Sequence, residues 1–263
     1  MPPVALTIAG SDPSGGAGLQ ADLKTFHQHG VYGMSAVTLI TVQNTVGVRS
    51  VAPLSPKMVE QQVRAVTEDI QADAVKTGAL GTPEIISAVV SVARQMDAPL
   101  IVDPVMISKH GAPLLDDPAI DALQELLLPI ATLITPNAPE ATRLSGIEVV
   151  DATSAERAAR EISRRGAWAV LVKGGHLDGR QAADILLLEG RVHELSAPRI
   201  DTPHTHGTGC TYSAAITARL ALGHSLLEAV AGAKSWLTEA IRNAPQLGRG
   251  FGPVEHLTPV ESK

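Results

Sequence analysis

Short apolar runs alternate with helix-like segments along this chain, and that alternation limits its fold more than any other feature. The runs are continuous rather than alternating in polarity, and they lie at 4–8, 37–42, 74–77, 99–102, 131–135 and 169–172. Continuous apolar strands separated by helices are typical of a mostly parallel sheet that is covered on both faces. The sequence therefore predicts a three-layer α/β/α fold around a sheet of roughly eight or more mainly parallel strands.

Two later runs, 182–188 and 192–196, flank Glu189-Gly190 and predict an antiparallel pair of strands. No repeat, low-complexity segment or linker interrupts the sequence. We therefore expect one domain that spans residues 1–263.

Composition excludes several classes of function. Aromatic residues make up only 2% of the 263 residues, the formal net charge is −6, and no basic cluster is present. A nucleic-acid partner is therefore not expected. No apolar run approaches the ~20 residues that a membrane span needs, and the run at 4–8 lacks the basic lead of a signal peptide. The single cysteine excludes an internal disulfide and fits a reducing cytoplasm.

Polar residues stand where five of the apolar runs end. They are Gln43, Thr77, Asp103, Asn137 and Lys173. Ligands of such sheets bind beyond the carboxyl ends of the strands, so we expect these side chains to converge on one rim. Strand ends also carry polar residues simply because they lead into turns.

A glycine-rich segment from Thr205 to Thr211 precedes a helix-like stretch that begins at about Cys210. A glycine-rich turn at a helix start presents free amides and the positive end of the helix dipole to an anion. Such a cradle suits phosphoryl transfer. Cys210 falls in the first helical turn, where the dipole favours a lowered thiol pKa.

Three other interpretations of this segment stay open from its residues alone. The glycines can form a simple tight turn, and a lone cysteine is most often a small buried apolar residue. His204 and His206 lie near Cys210 and could bind a metal, but no fourth ligand with zinc spacing follows.

A dinucleotide-binding fingerprint offers a rival function. Residues 16–21 read Gly-Ala-Gly-Leu-Gln-Ala after a strand and before a helix, which matches G-x-G-x-x-A. The fingerprint also needs an acidic residue about 20 positions later, and none occurs between His29 and Ser50. An NAD-dependent reductase is therefore disfavoured, and the Walker A nucleotide motif is absent.

Six motifs, in order, resemble those of the hydroxymethylpyrimidine/phosphomethylpyrimidine kinases of thiamin biosynthesis, which belong to the ribokinase-like superfamily. The motifs read Ala9-Gly10-Ser11-Asp12-Pro13-Ser14-Gly15-Gly16-Ala17-Gly18, Val42-Gln43-Asn44-Thr45, Val102-Asp103-Pro104-Val105-Met106, Thr135-Pro136-Asn137 with Glu140, Val172-Lys173-Gly174-Gly175-His176 and His206-Gly207-Thr208-Gly209-Cys210-Thr211. The resemblance covers nearly the whole chain.

The resemblance implies how the phosphoryl end of the site is built. The turn that would form the anion hole and carry the base comprises Gly207, Thr208, Gly209 and Cys210. The residues that would contact ATP are Lys173 and Lys234. The residues that would organise Mg²⁺, partly through water, are Asp103, Asn137 and Glu140.

The resemblance also implies the substrate pocket. The residues that would line it are Gly10, Ala17, Asp22, Gln43, Ala79 and Val105. An amide such as Gln43 both donates and accepts, which suits the edge of a pyrimidine. Asp22 would lie near the hydroxymethyl group. Ala79 departs from the methionine that the family often carries, which favours a roomier pocket.

The activity implied is an ATP- and Mg²⁺-dependent kinase. It would phosphorylate the hydroxymethyl group of 4-amino-5-hydroxymethyl-2-methylpyrimidine and then convert the monophosphate to the diphosphate. A pyridoxal or pyridoxine kinase of the same fold is the first alternative, and a non-catalytic binder of such pyrimidines is the second. The resemblance also implies a homodimer.

Overall fold

A computed structural model of the chain describes residues 1–109, 111–176 and 180–260. Its main sheet has eight strands in the order β10-β9-β8-β7-β6-β5-β1-β2. These strands are β1 Val4–Ala9, β2 Tyr32–Val37, β5 Ala74–Thr77, β6 Leu100–Val102, β7 Leu133–Ile134, β8 Ala169–Val172, β9 Gln181–Leu188 and β10 Arg191–Pro198. Six neighbouring strands pair in parallel, namely β2, β1, β5, β6, β7 and β8. Strands β9 and β10 are added antiparallel at one edge.

Helices cover both faces of this sheet. They are α1 Gly18–Gln28, α2 Pro56–Thr67, α3 Pro83–Ala93, α4 Asp117–Ala122, α5 Ala138–Ser145, α6 Ala152–Arg164, α7 Thr208–Ala221 and α8 Leu226–Arg242. Caps define several of their starts: Ser55 accepts the Met58 amide ahead of α2, and Thr82 accepts the Ile85 amide ahead of α3.

The two faces of each strand divide the core. On β8, Val170 and Val172 pack toward the layer that contains α2 to α6, whereas Ala169 and Leu171 pack toward the layer of α7 and α8. Helix α1 joins the second layer, since its Phe26 packs with residues of α7. The predicted three-layer, mainly parallel fold and the antiparallel pair are therefore confirmed.

A two-stranded sheet stands apart from the main sheet and corrects one prediction. Residues 37–42 were predicted to be one strand, but the chain turns at Thr38, whose amide donates to Ala9 O. Strand β2 therefore ends at residue 37, and Leu39–Asn44 forms β3 of a separate hairpin with β4 Gly47–Pro53. Gln43 thus lies on this hairpin and not at a carboxyl end of the main sheet.

One helical segment is irregular. Residues 117–128 run as the short helix α4, then as a π-helical turn Leu123–Leu127, and then as a 3₁₀ turn Leu128–Ile130. Pro129 has no amide hydrogen to continue an α-helix, which accounts for the end of the segment. No helix within the described ranges is both long and apolar enough to cross a membrane.

Candidate active site

Three residues predicted from strand ends meet at the carboxyl edge of the sheet. Asp103 follows β6, Asn137 follows β7 and Lys173 follows β8. Lys173 Nζ lies 2.9 Å from Asp103 Oδ1, and Asn137 and Lys173 form an isolated parallel bridge. The parallel order of β6, β7 and β8 therefore gathers one carboxylate, one amide and one ammonium, as the sequence predicts.

Asp103 is buried at this edge and stays ionised. Burial alone would raise its pKa, but Lys173 and Lys76 hold the pKa of Asp103 below its ordinary value. Its two carboxylate oxygens also accept hydrogen bonds, at 3.3 Å each, from Thr135 Oγ1 and Ser213 Oγ. The carboxylate is therefore fixed between β7, β8 and helix α7.

The glycine-rich turn places the start of α7 against this pair. Gly207 is the N-cap with φ 75°, and a Cβ there would fall 1.8 Å from Gly16 O. A left-handed, backbone-contacting position of this kind requires glycine. A Cβ at Gly209 would lie 3.3 Å from Lys173 Nζ. The first turn of α7, whose N-cap makes no side-chain hydrogen bond, thus lies beside a lysine, which is the arrangement of an anion site.

A second helix start meets the first. Helix α1 begins at Gly18, and its N-cap Ala17 makes no side-chain cap. Gly18 has φ 55°, and a Cβ there would fall 2.4 Å from Gly10 O. Because Gly207 packs on the Gly16 carbonyl, the positive ends of α1 and α7 converge on one region.

Asp12 holds the loop that leads into α1. Its Oδ1 accepts the amide and hydroxyl of Ser14, at 2.9 and 2.7 Å. Its Oδ2 accepts the amides of Gly16 and Ala17, at 3.2 and 2.8 Å, and lies 2.8 Å from His206 Nε2. These contacts occupy amides of the dinucleotide-like fingerprint, which leaves the reductase interpretation without support.

Cys210 differs from the sequence-based expectation. Its residue is half-buried in the third position of α7, and the helix dipole predicted a lowered pKa. Burial instead raises the pKa of the Cys210 thiol to about 12, with Asp103 and Asp22 adding to the rise. Lys76 and the Gly18 amide oppose it. Desolvation and two carboxylates thus outweigh the dipole, and the thiol is protonated at neutral pH.

Asn137 and Glu140 form a capping box at the start of α5. The backbone N–H of Asn137 donates to Glu140 Oε2 at 2.8 Å, and the backbone N–H of Glu140 donates to Asn137 Oδ1 at 2.9 Å. Burial raises the pKa of Glu140 to about 7, against the pull of Lys173. Asn at the N-cap with Glu three residues later signals such a box in the sequence, but only the metal role was predicted.

These oxygens fit a magnesium ion that is held mainly by phosphates. Mg²⁺ usually takes one or two carboxylates and fills its remaining positions with water and substrate oxygens. Asp103 raises the pKa of Glu140 through space, so the two carboxyl groups lie close enough to repel. A divalent cation between them would relieve that repulsion. Among the described residues, no group of three or more His, Cys, Asp or Glu is placed to hold a metal.

Lys234 connects only indirectly to the group of Asp103, Asn137 and Lys173, which we call the strand-end cluster. On α8, its Nζ is 2.7 Å from Asp184 Oδ2. Asp184 Oδ1 accepts the Gly174 amide at 2.8 Å. Lys234 therefore connects through Asp184 to the turn that follows Lys173, and the sequence analysis did not identify Asp184, which stands in the apolar run of β9.

The predicted pocket residues occupy different depths. Gly10 is buried, and a Cβ there would lie 3.6 Å from Ala79 Cβ. Ala17, Ala79 and Val105 are half-buried and so border accessible space. Gln43 is also half-buried, but on the hairpin β3–β4.

Asp22 does not reach open space. It is fully buried, with Oδ2 2.9 Å from Lys76 Nζ and 2.6 Å from Thr7 Oγ1. Lys76 is the main residue that sequence reasoning missed. A lysine inside the buried four-residue strand β5 was the available signal, because a buried lysine almost always has a partner.

The histidines near the glycine-rich turn have structural partners. His206 lies beside Asp12, and His204 Nδ1 accepts the Gly252 amide at 3.2 Å. The zinc interpretation of His204, His206 and Cys210 therefore gains no support from the described residues.

Comparison with known proteins agrees with this geometry. A family model described as phosphomethylpyrimidine kinase matches residues 12–255. The hydroxymethylpyrimidine/phosphomethylpyrimidine kinase of Haemophilus influenzae is 49% identical over 256 residues, 95% of this chain and 95% of that protein.

Solved structures show the same fold. The crystal structure of an ADP complex of Bacillus subtilis pyridoxal kinase matches with a TM-score of 0.91 at 41% identity, over 98% of both chains. Phosphomethylpyrimidine kinase from Clostridium difficile matches with a TM-score of 0.80 at 47% identity, over 90% of this chain and 99% of that one. The predicted ribokinase-like fold is therefore confirmed, and the chain belongs to the phosphomethylpyrimidine kinase family.

Proposed function

We propose that the protein transfers the γ-phosphoryl group of ATP to the hydroxymethyl group of 4-amino-5-hydroxymethyl-2-methylpyrimidine, and then phosphorylates the monophosphate, as a step of thiamin biosynthesis. The observation that carries the proposal is the Lys173–Asp103 pair, which lies beside Gly209 in the first turn of α7. The relative from Haemophilus influenzae, named as a kinase for both steps, supports the choice of substrate.

The two helix starts provide the electrostatic part of the catalysis. Backbone amides of the Gly207–Cys210 turn bind the oxygens of the transferred group, where charge is concentrated in the transition state. Lys173 neutralises ATP phosphates, and Lys234 binds farther along the nucleotide. These groups are fixed by the fold, so they need little reorganisation as the phosphoryl group moves.

Cys210 accepts the proton of the substrate hydroxyl as the thiolate. Phosphoryl transfer passes through a loose transition state, so the proton leaves late and little deprotonation precedes it. With a pKa of about 12, the thiolate is rare but strongly basic. The first step should therefore accelerate with pH above neutrality.

The second step makes a different demand. Its nucleophile is a phosphate oxygen, and a phosphate monoester loses its second proton with a pKa near 6. The monophosphate thus needs no base at neutral pH. Cys210 matters to the first transfer, whereas the amides of α7 and Lys173 serve both.

Asp103, Asn137 and Glu140 would hold Mg²⁺ at the carboxyl edge of the sheet. The ion supplies charge neutralisation and orientation for the ATP phosphates when it is bound. Asp103 is held ionised by Lys173, and Glu140, with a pKa of about 7, would readily lose its proton to water when a cation binds.

The pyrimidine lies in the space bordered by Gly10, Ala17, Ala79 and Val105, with the Gln43 amide on its polar edge. Asp22 is fully buried and paired with Lys76, so we place it behind the wall of this space and not against the ring. The hairpin that carries Gln43 closes one side of the pocket.

The molecule is proposed to act as one kinase domain over residues 1–263 and as a homodimer. The outer face of the β3–β4 hairpin supports the dimer, since Ile40 and Val42 are exposed there. The free Cys210 thiol suits the reducing cytoplasm, where we place the reaction. Sedimentation velocity of the wild type against an Ile40→Lys, Val42→Lys variant tests the dimer.

Pyridoxal kinase activity is the second candidate. The similarity to the Bacillus subtilis pyridoxal kinase and the small Ala79 side chain favour it. A coupled ADP-release assay with hydroxymethylpyrimidine, its monophosphate and pyridoxal tests both functions. The proposal predicts that kcat/KM is highest for the pyrimidines; a higher value for pyridoxal would reverse the order, and no release with any of them would refute a kinase.

A further inference from the structure

Glycine occupies every second position from Gly248 to Gly252, in the chain that follows α8. We call residues 248–253 the glycine strap. The strap lies outside the helices and strands, yet it contacts two separate parts of the site. One is the β3–β4 hairpin that carries Gln43, and the other is the loop that leads into α7.

The first end of the strap lies against the turn of the hairpin. The backbone N–H of Phe251 donates to Thr45 O at 2.8 Å, and that of Gly250 donates to Thr45 Oγ1 at 3.4 Å. A Cβ at Gly250 would fall 2.0 Å from Thr45 O, and one at Gly248 would fall 2.2 Å from Thr45 Oγ1. The two backbones therefore approach so closely that a side chain at Gly250 would have to displace one of them.

The second end of the strap is held by the loop that becomes the glycine-rich turn. The backbone N–H of His206 donates to Gly252 O at 3.0 Å, and that of Gly252 donates to His204 Nδ1 at 3.2 Å. His206 and Pro253 form an isolated parallel bridge. Since His206 directly precedes Gly207, the N-cap of α7, these three contacts attach the strap to the start of the anion site.

The chain after the strap is anchored on the helices. The backbone N–H of Glu255 donates to Ala240 O at 2.9 Å, and His256 Nε2 lies 3.1 Å from Thr211 Oγ1 on α7. His256 and Thr211 are both buried. Because the second end of the strap is fixed in this way, a clash at Gly250 would displace the hairpin and not the turn.

The hairpin needs external support near Gln43. The register of the β3–β4 pairing shifts between Val42 and Gln43, so the ladder is interrupted just before that side chain. Such an interruption disrupts the local hydrogen bonds and bends the strand. Thr45, which the strap holds, comes two residues after Gln43, so the strap supports the part of the strand that the ladder holds least well.

We propose that the glycine strap is a positioning element that fixes the Gln43 end of the hairpin relative to the glycine-rich turn at the start of α7. The strap acts on the pyrimidine through Thr45 and Gln43. Gly250 is its central residue, because the absence of a side chain there permits the backbone contact with Thr45. The inference rests on the proposed function, in which Gln43 contacts the polar edge of the pyrimidine.

Gly250→Ala tests the strap, and Gly47→Ala is its matched control. Neither glycine has a positive φ, so alanine fits both backbones and each variant adds one methyl group. At Gly47 that group meets nothing within 4 Å, whereas at Gly250 it meets the Thr45 carbonyl. Gly250→Ala should raise the Kd of hydroxymethylpyrimidine by about 5–50-fold, since the polar edge loses its partner, and should lower kcat by about 10–100-fold through misplacement. Gly47→Ala should behave as the wild type.

Two further measurements separate positioning from general stability. The affinity for the ATP analogue AMP-PCP, measured by calorimetry, should be equal in wild type, Gly250→Ala and Gly47→Ala, because the ATP side of the site does not move. Hydrogen exchange followed by mass spectrometry needs no substrate. Peptides from residues 39–53 should exchange faster in Gly250→Ala than in Gly47→Ala, whereas peptides from β1 and β8 should exchange at the wild-type rate.

Thr45→Ala provides a second variant, which adds no atom and so folds if Gly250→Ala does not. It removes only the side-chain part of the contact, so it should accelerate exchange of the hairpin by a smaller factor. Hairpin exchange in both variants equal to that of Gly47→Ala, or equal losses of AMP-PCP and pyrimidine affinity, would overturn the inference. A wild type that binds no hydroxymethylpyrimidine would instead refute the proposed function, and the exchange rates would still decide whether the strap fixes the hairpin.

Discussion

Asp12 Oδ2 and His206 Nε2 lie 2.8 Å apart and join two loops that are 194 residues apart in sequence. One loop leads into α1 and the other into α7. Both side chains are buried, so the contact fixes how the two helix starts face each other. The anion site is therefore a product of tertiary pairing between two glycine-rich loops.

His206→Ala should lower kcat by about 10²-fold, because a displacement of about 1 Å in a positioned site has that effect. The variant should stay folded and show a cooperative thermal unfolding transition. Ser14→Ala is the control, since it removes an Asp12 contact inside one loop only. Equal kcat values for His206→Ala and Ser14→Ala would show that the link between the loops is not important.

Lys173→Ala should raise the KM for ATP much more than the KM for the pyrimidine. Its ammonium faces Gly209 and Asp103, on the side where ATP phosphates are proposed to lie. Initial-rate kinetics with each substrate varied in turn measure the two effects. Unchanged ATP kinetics would assign Lys173 to the stability of Asp103 alone.

Sequence reasoning placed the parallel edge of the sheet correctly for a physical reason. Continuous apolar runs specify buried parallel strands, and their carboxyl ends must share one edge, so Asp103, Asn137 and Lys173 meet. The prediction for Gln43 was wrong, because the apolar run 37–42 is continuous in sequence although the chain turns at Thr38. Hydrophobicity alone does not show where a strand leaves the sheet.

Electrostatics was the less predictable part. The helix dipole at Cys210 is a local property and can be recognised in the sequence. The burial, Asp103 and Asp22 that reverse its effect on the pKa come from distant segments. The pairing of Lys76 with Asp22 likewise joins residues that are 54 positions apart in sequence, so no local pattern encodes it.

Gln43→Leu should reduce kcat/KM for the pyrimidine by an amount equivalent to about 1–3 kcal/mol, since a buried polar edge of the substrate would lose its partner. ATP affinity should stay unchanged, because the hairpin is separate from the strand-end cluster. Calorimetric titration of ATP and steady-state kinetics separate the two. An equal loss of ATP affinity would make Gln43 a structural residue of the hairpin.

Glu140→Gln should make the loss of stability on acidification from about pH 6 to about pH 4.5 steeper than in the wild type. Burial lowers the pKa of His29 and of His256 to about 4, so the unfolded chain binds two more protons between about 6.5 and 4. Glu140, with a folded pKa of about 7, binds one more proton when folded and opposes this. Glu140→Gln removes this opposing proton, so the slope should become steeper by about one proton, or about 1.4 kcal/mol per pH unit.

Urea unfolding of both proteins from pH 6 to 4.5 measures that slope. The Gln variant keeps an acceptor for the capping box but cannot titrate, so its slope should exceed the wild-type slope by about one proton. Equal slopes for the two proteins would contradict the raised pKa of Glu140.

The most direct test of the account compares the two phosphoryl transfers in Cys210→Ala at pH 8, each followed as a single turnover by ³¹P NMR or rapid quench. We expect transfer to the hydroxymethyl group to slow by about 10²–10⁴-fold, the usual contribution of a general base. Transfer to the monophosphate should be nearly unchanged, because its nucleophile is already ionised. Cys210→Asp should recover part of the first rate. If Cys210→Ala performs the first transfer at the wild-type rate, or slows both transfers equally, Cys210 is not the base.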